Sequence, residues 1–151
     1  MTKVAVVQHC ATTDVETNMQ SIASLTHAAC DAGAEIVCWA EAFAYLGSHA
    51  GKQEILELLP DGGPILDRCR ALARQRNVEL LLGGFHERMA DDSGRCYNTS
   101  VYLSASGEVL ATYRKIHLFD VAIPDGPQLM ESKQTAGGSK VVLTDTRLGT
   151  L

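Results

Sequence analysis

The sequence predicts an α/β fold built on a mixed sheet. Apolar, β-branched runs at residues 3–8, 35–39 and 79–84 are separated by stretches of helical periodicity. Two later runs, at 97–104 and 108–113, flank a turn of hairpin type. The chain has 151 residues, is 46% hydrophobic and carries a formal charge of only −5, so it is long and apolar enough to bury a core as one domain. Helical crossovers between the early strands imply parallel neighbours, and the hairpin adds antiparallel ones.

Each element has a local reason. Residues 3–8 form a short β-branched run that reads as a buried strand. Thr13-Asp14-Val15-Glu16 has the spacing of a capping box, with Thr13 as N-cap and Glu16 reaching back. The helix it opens places Val15, Met19, Ile22, Leu25 and Ala29 on one stripe and stops at Gly33 in a left-handed conformation. The chain leaves the second strand, 35–39, at Ala40-Glu41. A short helix is expected around 52–58, and Pro60-Asp61-Gly62-Gly63-Pro64 then interrupts the chain. Ile65, Cys69, Leu72 and Ala73 mark the inner stripe of a helix ending near Asn77, followed by the strand 79–84. Ser104-Ala105-Ser106-Gly107 joins the hairpin. A long irregular segment with Pro124, Gly126 and Pro127 follows Lys115; residues 139–144 read as the last full strand and 147–151 as the opening of its partner. Because the end falls inside an apolar element with nothing to cover it, a truncated domain is one expectation.

Composition excludes several classes. The apolar fraction is too high for disorder, and no run approaches the roughly 18 apolar residues of a membrane span. The N-terminus lacks a secretory pattern, and 13 basic against 18 acidic residues offer no face for nucleic acid. Neither a membrane nor a nucleic-acid partner is expected. Five cysteines at irregular spacing form no CxxC pair and no Cys/His cluster, so neither a metal nor another cofactor is expected. Cys30, Cys38 and Cys69 lie in apolar patterns and read as reduced, buried thiols of a cytoplasmic protein.

Two residues stand where chemistry can be done. Glu41 follows an apolar strand at its C-terminal end, the edge at which open α/β sheets bind ligands. Flanked by Ala40, Ala42 and Phe43, it is expected to be partly desolvated and suited to general base work, or else to be a solvated loop carboxylate. Lys115 ends a strand among Tyr113, Ile116 and Phe119; it can present an ammonium to a developing oxyanion, or simply cover apolar surface with its stem. His86 and His117 read as packing or orienting residues, and the pairs Gly62-Gly63, Gly83-Gly84 and Gly137-Gly138 as turns.

These segments together resemble the nitrilase (carbon–nitrogen hydrolase) superfamily. The strings that carry the resemblance are Val4-Ala5-Val6-Val7-Gln8, Glu41 after its strand, Leu82-Gly83-Gly84-Phe85-His86-Glu87-Arg88, Tyr97-Asn98-Thr99-Ser100 and Tyr113-Arg114-Lys115-Ile116-His117-Leu118-Phe119-Asp120. The continuation through Pro124, Gly126-Pro127 and Met130-Glu131-Ser132 is most similar to the branch of deaminated-glutathione amidases and ω-amidases.

The resemblance implies an α-β-β-α sandwich, of which residues 1–151 would be the N-terminal portion, and a Glu-Lys-Cys site that forms a thioester with a small linear amide. It makes Glu41 the base, Lys115 the oxyanion stabiliser and Glu131 the second glutamate, which holds the lysine and the leaving group. It also implies a homo-oligomer, such as a homodimer. Ala40 stands where the family usually has proline, which is expected to loosen the turn. The family's nucleophile, in a Gly-x-x-x-Cys-Tyr-Asp context, would fall just past Leu151. Cys96-Tyr97-Asn98 imitates those letters but lies in the strand before the lysine, so Cys96 is expected to pack. The chain alone is therefore expected to be inactive. Two other readings remain: a non-catalytic remnant acting by association through an unpaired strand edge, and a nitrile or N-carbamoyl hydrolase of the same fold.

Overall fold

A computed structural model describes residues 1–91 and 94–151. Strands β1 (Val4–Val7), β2 (Ile36–Trp39) and β3 (Glu79–Arg88) pair in parallel, and β4 (Cys96–Leu103) and β5 (Val109–Arg114) continue the sheet antiparallel in the order β1-β2-β3-β4-β5. Helices α1 (Val15–Asp31) and α3 (Pro64–Arg76) are the crossovers, with the short α2 (His49–Glu54) between them.

The core lies between the sheet and the two long helices. Val37, Leu80, Leu82, Val101 and Leu103 alternate along the strands and are fully buried against Met19 and Ile22 of α1 and Leu66, Cys69 and Ala73 of α3. Cys69 is sealed in this layer, and burial pushes its thiol up to about 12. Cys30 and Cys38 are only half-buried, Cys30 packing at the margin of the core and Cys38 alternating with Val37 and Trp39 onto the other sheet face; all five cysteines are free. The opposite sheet face carries no helix among the described residues, and Val6 is 85% exposed there. The mixed α/β architecture is thus one helical layer on one sheet, the first two layers of an α-β-β-α arrangement.

Several boundaries differ from the sequence expectation, each for a local reason. The N-cap of α1 is Asp14, whose Oδ1 accepts the Thr17 N–H at 3.1 Å, and Thr13 lies outside. Glu16 does not reach back; its carboxylate takes the Arg68 guanidinium of α3 at 2.7 Å. Helix α2 begins earlier than expected, because Ser48 caps it through the Gly51 N–H, and residues 55–58 leave the helix. Strand β3 runs four residues past Gly84: Gly83-Gly84 is a bulge inside the strand, with the β4 register shifting between Leu82 and Phe85. The segment after Lys115 is less irregular than expected and contains a hairpin, β6 (Asp120–Ala122) against β7 (Gln128–Met130). A 3₁₀ turn, Glu131–Lys133, and β8 (Thr135–Ala136), parallel to β4, follow.

Residues 139–144 form no strand: Val141 is 81% and Leu143 73% exposed, and of this segment Thr144 is paired, exchanging both main-chain hydrogen bonds with Leu151 at 3.0 and 2.9 Å. The chain closes instead with a two-residue hairpin, β9 (Asp145–Thr146) against β10 (Gly149–Thr150). Arg147 ties it to the sheet through Glu79, 3.1 Å away, which also accepts the Tyr102 hydroxyl at 2.5 Å.

Helix α3 starts at Gly63-Pro64 and has no cap of its own. A distant carboxylate serves instead: buried Glu57 accepts the N–H groups of Ile65 at 2.6 Å and Leu66 at 3.0 Å. Glu57→Ala leaves both donors unpaired and is expected to lower the unfolding free energy by about 1–3 kcal/mol in urea titration. Burial raises the Glu57 carboxyl above its ordinary 4.5, outweighing those two bonds. Its protonated form is therefore favoured by folding, and stability falls as pH climbs through the raised value. The variant should lack that slope.

Candidate active site

The loop leaving β2 turns sharply at Glu41. Ala42 adopts φ +57°, a left-handed conformation costly for a residue with a Cβ, and the chain then descends through buried Phe43 and Ala44. With Ala40 instead of proline, the turn is held from the adjacent strand. A Cβ on Gly83 would stand 2.6 Å from the Trp39 carbonyl oxygen, and one on Gly84, at φ +63°, would stand 2.7 Å from both the Ala42 nitrogen and Glu41 Cγ. The glycine bulge is what lets the Glu41 loop cross β3 in contact with its backbone.

Lys115 follows β5 and is held at both main-chain ends: its N–H donates to the Asn98 carbonyl at 2.8 Å and its carbonyl accepts the Gly138 N–H at 2.9 Å. The β6–β7 hairpin carries the chain out and back, so that Glu131 returns beside it. The three site residues expected from the sequence therefore meet. Lys115 Nζ lies 3.1 Å from Glu41 Oε1 and 3.0 Å from Glu131 Oε2. Glu131 Oε2 also accepts the Phe119 N–H at 2.7 Å, and Asn98 Nδ2 donates to Glu41 Oε1 at 2.5 Å. Both contacts to Glu41 fall on one oxygen, which leaves Oε2 free to take a proton.

Burial lowers the Lys115 pKa, but the hydrogen bonds and charges of Glu131 and Glu41 outweigh it and hold the ammonium above its ordinary 10.5. Burial likewise raises the Glu131 carboxyl, and the Phe119 N–H, the Lys115 ammonium and the Asn98 amide together bring it below the usual carboxylate range. The Glu41 side chain is 59% exposed rather than partly desolvated, because it faces an open cavity of about 670 Å³. Glu41, Lys115, Glu131, Asn98 and His86 line this cavity. Its volume suits a small organic ligand.

His86 orients its surroundings: its ring nitrogen lies 3.0 Å from the Tyr45 carbonyl oxygen, and burial lowers its pKa. His117, expected to pack or orient, is exposed, since the chain turns outward after Lys115. Asn98 is the functional residue that the sequence reading missed, although it lies inside the quoted Tyr-Asn string; only the fold shows that one residue grips Glu41 by its side chain and Lys115 by its carbonyl. Cys96 is 1% exposed, its thiol raised by burial and directed at the Gln134 carbonyl 3.7 Å away, so it packs. Among the described residues no group of three or more His, Cys, Asp or Glu side chains could hold a metal ion, and no helix is long and apolar enough to cross a membrane.

A layered α/β half-sandwich with a lysine gripped by two glutamates at its strand ends matches the carbon–nitrogen hydrolase family model over residues 3–151, and the chain belongs to that family. Its similarity is to deaminated glutathione amidases in particular. It is 34% identical over 154 residues to that of Dictyostelium discoideum, covering 99% of this chain and 53% of the relative. It is 40% identical over 138 residues to the human one, covering 89% and 42%. The crystal structure of the Caenorhabditis elegans NitFhit protein superposes with a TM-score of 0.87 at 30% identity, over 97% of this chain and 35% of that one. Saccharomyces cerevisiae Nit3, of the nitrilase superfamily, shares the fold with a TM-score of 0.78 at 22% identity, over 99% of this chain and 53% of that one. The chain spans about half the length of the curated relatives it matches.

Proposed function

We propose that the chain supplies the base, the cation and the second carboxylate of a hydrolase acting on small linear amides like those of deaminated glutathione amidases, with the nucleophilic cysteine lying outside these 151 residues. The observation that carries this reading is the Lys115 ammonium set between two carboxylates at 3.1 and 3.0 Å on the wall of an open cavity. In the proposed reaction, Glu41 Oε2 takes the thiol proton as sulfur attacks the amide carbon, and Lys115 faces the oxyanion. Collapse breaks the C–N bond; the nitrogen takes the proton from Glu41 and leaves as ammonia, and a thioester remains. Glu41 then deprotonates water, which attacks the thioester carbon; the carboxylic acid departs and the thiol is restored. No metal or organic cofactor has a part in this sequence, and a homo-oligomeric, cytoplasmic enzyme belongs to the same proposal.

The test is ammonia release from a panel of ω-amides, nitriles and N-carbamoyl compounds. The 151-residue chain should be silent, and a chain extended through any in-frame Cys-Tyr-Asp string encoded beyond Leu151 should turn over amides. Turnover by the 151-residue chain would overturn the assignment of the nucleophile. Silence of the extended chain on amides would overturn the assignment of the reaction.

A further inference from the structure

Asn98 meets all three charged residues of the site. Its Nδ2 donates to Glu41 Oε1 at 2.5 Å, its main-chain carbonyl accepts the Lys115 N–H at 2.8 Å, and its side-chain amide also acts on the Glu131 carboxylate. In the β3–β4 register it stands opposite His86, and both side chains line the cavity. Its neighbours Tyr97 and Thr99 alternate onto the other face, where the Arg114 guanidinium lies over the Tyr97 ring and the Thr99 hydroxyl donates to Glu87. The strand is thus pinned on one face while Asn98 is presented on the other.

Chemistry decides which way the amide faces. An ionised carboxylate only accepts, so an asparagine between two of them must offer its nitrogen, whose two hydrogens can serve one carboxylate each. The amide adds donors without adding charge, whereas Lys115 is one cation shared between both acids. Both contacts to Glu41 fall on Oε1. Without the amide, a single flexible ammonium would hold a side chain that is 59% exposed, and a carboxylate can turn to present either oxygen.

We infer that Asn98 is the positioning residue of the base: its amide bridges Glu41 and Glu131 and holds Glu41 turned so that Oε2 is the oxygen offered to the thiol and later to water. This rests on the hydrolase reading above and adds to it a residue that acts through Glu41 rather than on the substrate. A base fixed in this way needs no reorientation between its two proton transfers.

The first measurement is made on the 151-residue chain. In proton–nitrogen correlation spectra the two side-chain amide protons of Asn98 are distinct. Glu41→Gln should shift one of them and Glu131→Gln the other, because each variant replaces one carboxylate acceptor by a neutral amide. Both protons responding to one variant and neither to the other overturns the bridge. The second measurement is steady-state kinetics on the nucleophile-bearing enzyme. Asn98→Leu keeps the size and removes both donors; it should lower kcat by about 10–100-fold with KM nearly unchanged, as for a misplaced catalytic group. Asn98→Asp keeps the shape and changes the chemistry. Ionised, the introduced carboxyl repels both glutamates; protonated, it can donate one hydrogen bond. Its kcat relative to wild type should recover as pH falls through the titration of that carboxyl, whose ionisation the flanking acids disfavour, whereas the Asn98→Leu ratio should stay flat. The acids, lysines and histidine of the cavity wall, Glu41, Glu131, Lys52, Lys115, Lys133 and His86, are common to both variants, so the difference between the ratios isolates the introduced group. A residue that only filled space would leave kcat unchanged in Asn98→Asp at every pH, and that result overturns the inference. An unchanged kcat in a folded Asn98→Leu does the same; if that variant does not fold, the pH dependence of the Asn98→Asp ratio decides. If the wild-type nucleophile-bearing enzyme is silent on amides, the hydrolase reading fails and the role of base fails with it, while the amide protons alone decide the bridge.

Discussion

Replacement of Lys115 by methionine in the nucleophile-bearing enzyme is expected to lower kcat by a factor of about 100–1,000, the usual loss when one preorganised oxyanion donor is removed. The ammonium is fixed before substrate arrives by Glu41, Glu131 and two main-chain hydrogen bonds, so it meets the developing charge without reorganising. An interaction made mainly in the transition state lowers kcat and kcat/KM together, and steady-state kinetics on a neutral amide should show that pattern. A rise in KM with kcat intact would remove Lys115 from the chemistry. The pH behaviour follows from the same contacts. Glu131 lies below its ordinary 4.5, so its contribution to stability is present above that value and is lost as pH falls through the depressed one. Lys115 lies above its ordinary 10.5, so its contribution is complete below that value and is lost as pH rises through the raised one. Between the two ordinary values both groups stay charged, and neither should shape the activity profile.

The largest effect on stability is expected at Arg114. Its guanidinium holds Glu87, a carboxylate 2% exposed on β3, through Nε at 2.9 Å and through Nη2, and it lies over the Tyr97 ring at 3.9 Å. Glu87 also accepts the buried Thr99 hydroxyl at 2.6 Å. Arg114→Met strands a buried carboxylate and should cost roughly 3 kcal/mol or more by urea unfolding. Glu87→Ala should cost less, because Arg114 is 47% exposed and water can solvate it. The double variant Glu87→Leu with Arg114→Met should recover much of the loss, since it removes both charges; additive losses would show that the pair is not coupled.

Much of this was legible in the residues. Strand alternation and helical stripes placed β1 to β5, α1 and α3, because burial on one face leaves a period in the sequence. Glu41 and Lys115 stood out as charged groups at the ends of apolar strands, whereas Glu131 came only through the family resemblance. Their meeting could not be read from spacing, since it depends on the β6–β7 hairpin folding the chain back. The same gap hid Asn98, whose part is a contact with residues distant in sequence. Residues 139–144 misled for the opposite reason: an apolar run marks what a segment could bury, and a strand also needs main-chain partners, which in this segment Thr144 finds in Leu151. The choice of Asp14 over Thr13 as N-cap lies within the small difference between two good capping residues.

Gly84 extends the functional inventory to a position with no functional group. A Cβ there would stand 2.7 Å from the Ala42 nitrogen and Glu41 Cγ and 2.9 Å from Glu41 Cα, so a hydrogen in its place is what leaves room for Glu41. A larger residue there would displace Glu41 without touching its carboxylate, as though a shim had been slipped behind a tool. Tolerance to change should therefore be mapped from the scaffold outward, with the narrowest margin directly behind Glu41.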